Sequence, residues 1–145
     1  MLDAASGSWV AWALLSALFA ALTAIFAKIG VAGVNSDLAT FIRTLVVVAV
    51  LGAILAVRGL FQPVAGIAPR TWAFLALSGL ATGASWLCYF RALQIGDAAR
   101  VAPIDKLSVV LVAIFGVTLL GEQLSLTAWV GVALIGAGAV LVAVG

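Results

Sequence analysis

Apolar positions run along this chain in five long blocks, separated by short connections that carry its polar, Gly and Pro residues. The blocks cover about 9–34, 38–57, 71–93, 101–120 and 128–144, each close to or above the roughly 20 residues that a helix needs to cross a bilayer. A spanning strand needs only about 9–11 residues in strict alternation, so blocks of this length predict helices. The expected fold is an all-α polytopic membrane protein with five transmembrane helices, in a single membrane domain over residues 1–145. Gly33, Asn35, Ser36 and Asp37 form the first turn, with Ser36 or Asp37 placed to cap the next helix. The connection 59–70 is the longest. Pro63 and Pro69 break helix there, yet Leu60, Phe61, Val64 and Ile67 are apolar enough to lie along a membrane surface. Pro103 is expected near the start of the fourth helix, where its missing N–H is tolerated. In the last turn Ser125 or Thr127 is placed as a cap, and Glu122 is expected to act on the N-terminus of the helix that follows.

Composition removes the soluble alternative. Hydrophobic residues are 66% of the chain and charged residues 8%. Soluble domains carry roughly 25% charged residues. The formal net charge of +2 comes from scattered Lys and Arg without a cluster, so it gives no support to nucleic-acid binding. Met1-Leu2-Asp3 lacks a basic stretch ahead of the first block, and a cleaved signal peptide is not expected. There is no His and one Cys, Cys88, read as a small buried hydrophobe. No metal site, cofactor or catalytic set is expected, and the chain is not read as an enzyme.

Charges inside the blocks are the candidate chemistry, because an ion in hydrocarbon is costly and usually lines a polar path or pairs with another. Lys28 shares a face with Ala17, Ala21 and Ala24, which turns it toward protein; the alternative is snorkelling to the headgroups. Arg43 carries the same two readings. Arg91, close to its helix end, serves either this network or the terminal carbonyls and headgroups. Asp105 and Lys106 are adjacent. Neighbours on a helix differ by about 100°, so Asp105 is expected to pair with Lys28, Arg43 or Arg91 rather than with Lys106, or to carry a proton. The alternative for Asp105 is a fixed ion pair or a helix N-terminal charge. The third block places Ser78, Thr82, Ser85 and Tyr89 on one face, with Gly79, Gly83, Trp86 and Phe90 beside them. That stripe either walls a polar cavity or bonds back to its own helix. Thr23 and Phe26 of the first block complete the candidate solute-binding set with Thr82, Ser85, Trp86 and Tyr89.

The run Phe90-Arg91-Ala92-Leu93-Gln94-Ile95-Gly96-Asp97-Ala98-Ala99-Arg100-Val101-Ala102-Pro103-Ile104-Asp105-Lys106-Leu107-Ser108 resembles the central signature of EamA domains of the drug/metabolite transporter superfamily. Leu119-Leu120-Gly121-Glu122-Gln123-Leu124 and the Gly-rich last helix extend the resemblance across nearly the whole chain. Members of that family commonly carry two such domains as inverted repeats in ten helices, and many export amino acids and related metabolites. The resemblance therefore implies a multi-pass protein of a cell membrane, with a bacterial inner membrane expected. One five-helix unit is half of such a fold, so a second copy is expected: a homodimer, either parallel or antiparallel, since the basic residues give little bias between the two sides. The function read from these residues is secondary transport, as an exporter, of a small polar metabolite such as an amino acid, by alternating access. A different class stays open: a membrane subunit that does not transport but assembles with or regulates a partner, or handles lipid.

Overall fold

The computed structural model describes residues 4–145, with side chains from residue 9 onward; the expectation resting on Met1-Leu2-Asp3 lies outside the described residues. Among the described residues six α-helices are formed: α1 (Ala4–Gly30), α2 (Ser36–Val57), α3 (Pro69–Ile95), α4 (Ala98–Asp105), α5 (Ser108–Leu119) and α6 (Leu126–Val144). A single 3-10 turn, Val64–Gly66, interrupts the long connection, and no strand occurs among the described residues. Five stretches are long and apolar enough to cross a membrane: Trp9–Gly30, Ser36–Val57, Pro69–Ile95, Ala98–Leu119 and Leu126–Val144.

The fourth crossing differs from the uninterrupted helix the sequence predicts. It starts earlier, at Ala98, so Pro103 lies inside α4 rather than at its start. A proline there deprives the carbonyl four residues back of its donor and crowds the preceding turn. Three residues later the bonding tightens. Lys106 N–H is shared between Ala102 O at 3.3 Å and Pro103 O at 3.0 Å, and Leu107 N–H donates to Ile104 O at 3.0 Å. The α-helix resumes at Ser108.

Helix ends follow capping chemistry. Asn35, not Ser36 or Asp37, caps α2: its Oδ1 accepts from the N–H groups of Asp37 and Leu38 at 2.9 and 3.1 Å. The reason is register, since the helix begins at Ser36, two residues before the expected 38, and places Asn35 at the cap. The first helix ends at Gly30, short of the expected 34, because Val31–Val34 wrap into a turn that Gly33 closes with φ +76°. Ser125 caps α6 as one of the two expected residues, accepting from Ala128 N–H at 3.2 Å. Glu122 does not reach that helix start. Its own N–H donates to Gly116 O at 3.0 Å, and its carboxylate folds back over Gly116, where a Cβ would stand 2.5 Å from Oε2.

The contacts divide the chain into two units, one of Ala27–Gln94 and one of Ile95–Gly145 with the residues up to Phe26. In the first, Val31, Ser36, Thr40, Phe90 and Leu93 are buried. Lys28 and Gln94 hold this region together from opposite ends. Lys28 Nζ donates to Leu93 O at 2.7 Å, and Gln94 Nε2 donates to Val34 O at 2.9 Å. Leu93 lies in the last turn of α3, where carbonyls have no intrahelical donor, so Lys28 supplies both a proton and a favourable charge. In the second unit α6 packs on α4 and α5. A Cβ at Gly136 would lie 3.2 Å from Val110 Cγ2, whereas one at Gly138 would meet nothing within 4 Å. Small residues at such points let membrane helices approach closely.

Lys28→Met is expected to destabilise the protein by about 1–3 kcal/mol, the cost of a carbonyl left bare, with Lys28→Arg largely retaining stability; thermal unfolding of purified protein in micelles reads both. Gly136→Leu is expected to cost about 1–3 kcal/mol by overpacking against Val110, while Gly138→Leu leaves the midpoint near wild type.

Candidate functional site

Helix geometry sets how deep each charged group lies in its own span. Arg43 is seven residues beyond the start of α2, a rise of about 10 Å. Trp86 is nine residues short of the end of α3, about 13 Å in. The two meet: the Arg43 guanidinium carbon stands 4.0 Å from the Trp86 ring centroid and 5.5 Å from that of Phe90. Tyr89 is within electrostatic reach of the same guanidinium. Phe90 is buried, and Arg43, Trp86 and Tyr89 are half-buried.

Energetics explains why Arg43 turns inward. Placing Arg near a helix centre costs about 2.5–3.5 kcal/mol on insertion scales. A desolvated cation over an indole face recovers about 2 kcal/mol. The stack therefore offsets most of the cost but leaves the edge of the fork unused. Among the described residues Arg43 makes no hydrogen bond or ion pair.

Asp105 and Lys106 form the second polar station, and here the sequence expectation is corrected. Lys106 Nζ lies 3.0 Å from Asp105 Oδ2, so the acid pairs with its neighbour, where Lys28, Arg43 or Arg91 was expected. The backbone at Lys106 stays in the helical region, so the pair is made by the side chains: the long, flexible Lys106 chain turns back to reach the acid despite the angle between their Cα positions. Nor is Asp105 in a first helical turn. It lies seven residues beyond Ala98, a rise of about 10 Å into the fourth span. Both side chains are accessible, 34% for Asp105 and 55% for Lys106.

The remaining candidates divide. Lys28 points into protein, as its bond to Leu93 O shows. Arg91 is exposed. Thr82 and Ser85 are exposed on α3, and Thr82 Oγ1 donates back to Ser78 O at 2.9 Å, the self-bonded arrangement of the two considered for that stripe. Thr23 is half-buried and Phe26 65% exposed, both on α1 in the other unit from Trp86. Cys88 is exposed on α3 rather than buried, because it lies off the Trp86–Phe90 stripe that packs inward. Counting depth from both ends of α2 and α3 was the signal that could have paired Arg43 with Trp86 in advance.

Comparison with known proteins agrees with this architecture. Residues 7–144 match the EamA-like transporter family. The chain is 68% identical over 139 residues to an "Uncharacterized transporter in cobO 3'region" of Sinorhizobium sp, with 96% of this chain and 99% of that protein covered. That relative is thus about one unit of this size along its whole length. No solved structure matches. The shared profile and the five spanning helices together place the chain in the EamA-like transporter family, as a multi-pass membrane protein.

Proposed function

We propose that the chain is a secondary transporter that exports a small polar metabolite, such as an amino acid, from a bacterial cell across the inner membrane. It works as a homodimer by alternating access, each copy contributing one membrane domain. The observation that carries this reading is the Asp105–Lys106 ion pair in the fourth span. It is accessible and lies about 10 Å inside the span, and ionised side chains at such depth face protein or a water-filled cavity and mark solute or ion pathways. Transporters commonly enclose a midplane site between two repeats, and the Sinorhizobium relative, 99% covered, carries one membrane domain of this size, which supports pairing of two copies. In this reading Trp86 and Tyr89 wall the solute path, with Thr82 and Ser85 along the same helix, while Asp105 and Lys106 open and re-form their pair during the cycle.

The test is efflux of a labelled amino-acid mixture from proteoliposomes. Wild-type protein is expected to exceed protein-free vesicles clearly, and Asp105→Asn to reduce the rate roughly tenfold or more, as expected when a group used in the transport step is lost. Diluting the protein below one chain per vesicle is expected to abolish flux. Wild-type flux equal to that of empty vesicles overturns transport and favours a partner-dependent subunit; flux that persists in proportion at one chain per vesicle overturns the dimer.

A further inference from the structure

We propose that Arg43, stacked on Trp86, is a binding site for a carboxylate group, so that the solute this protein carries is an organic carboxylate. The inference rests on the transport reading for its purpose but on separate residues for its chemistry. Three observations carry it. The face of the guanidinium is occupied, 4.0 Å from the Trp86 centroid and 5.5 Å from that of Phe90. Its edge is not: among the described residues no acceptor bonds the five N–H donors, and the side chain is half-buried rather than sealed. Among the described residues no carboxylate forms an ion pair with it.

A planar guanidinium with its face on an indole and its edge free is the geometry that takes a carboxylate through two parallel N–H···O bonds. The stack fixes the plane of the fork, so less side-chain freedom is lost when the anion binds. Low local dielectric strengthens the contact at about 10 Å inside the span. A headgroup phosphate is the other oxyanion within chemical reach. The direction of the side chain argues against it: Arg43 reaches toward Trp86, which lies about 13 Å from the end of α3, deeper than Arg43 itself. Phe90 and Trp86 add apolar surface beside the fork, which suits a solute whose carboxylate is attached to a hydrophobic or aromatic body.

The binding step can be read without flux. Purified protein in dodecyl maltoside micelles is titrated with benzoate, benzamide, benzylamine and inorganic phosphate, and the thermal midpoint is followed, since a ligand that binds only the folded state raises it. Benzoate is expected to raise the midpoint in a saturable way, and the other three are not. Arg43→Lys keeps the charge but loses the fork, and is expected to weaken the benzoate response roughly tenfold. Benzamide or phosphate matching benzoate overturns the proposal, as does an Arg43→Lys protein that titrates like wild type. Should Arg43→Lys fail to fold, the four ligands on the wild-type protein decide alone. Carboxylate binding by a protein that gives no flux removes the transport reading and leaves this site standing; flux of solutes without a carboxylate, with no benzoate response, does the reverse.

Discussion

Hydrocarbon offers no hydrogen-bond partner, so each polar group carried into it must be satisfied within the protein or open onto water. Very little of any span is buried inside the chain, at most 11% of its most apolar stretch, so lipid or another copy covers most of the surface. Against that background the few polar contacts at depth organise the structure. Lys28 on the Leu93 carbonyl, Arg43 on the Trp86 ring and Asp105 on Lys106 are three different answers to one requirement: a dipole, a quadrupole and an opposite charge. Thr40, Thr44, Thr82 and Thr118 give a fourth answer, each returning its hydroxyl to the carbonyl four residues back.

These answers are not equivalent for function. The Lys28 bond is closed, a donor placed on a carbonyl that the helix end leaves bare, and it joins the Gln94–Val34 bond in holding the first turn against the end of α3. The Asp105–Lys106 pair is accessible and sits where the backbone hydrogen bonds tighten after Pro103. The Arg43 stack lies between them in character: its face is satisfied and its edge is open. A membrane protein that must hold firm and yet accept a solute needs both kinds of contact, and this chain separates them along its sequence.

Much of the architecture was legible beforehand because hydrophobic block length depends on bilayer thickness and on little else. All five spans were readable from the sequence, with ends displaced by a few residues. The displaced ends trace to local chemistry: Asn35 winning the cap from Ser36, and Gly33 closing a turn that the apolar Val31 and Val34 disguised as helix. The tightened turn in the fourth span was harder to foresee, since its position depends on where the helix starts. Reading that start at Val101 instead of Ala98 made Pro103 harmless and set Asp105 in a first turn. The candidate charges were visible one by one, but their partners were not, because periodicity assigns a face to a residue and says nothing of which neighbouring helix that face meets. Asp105 shows the limit most plainly. A rule about where side chains leave an ideal helix excluded the very neighbour that the long Lys106 chain reaches at 3.0 Å.

Cys88 gives this arrangement a practical consequence. It is exposed, it stands two positions along α3 from the indole that carries Arg43, and the chain has no other thiol. Two positions along a helix are about 200° apart, so this one thiol faces away from that indole, and what covers it, lipid or a second copy, is read at a single place in the unaltered protein.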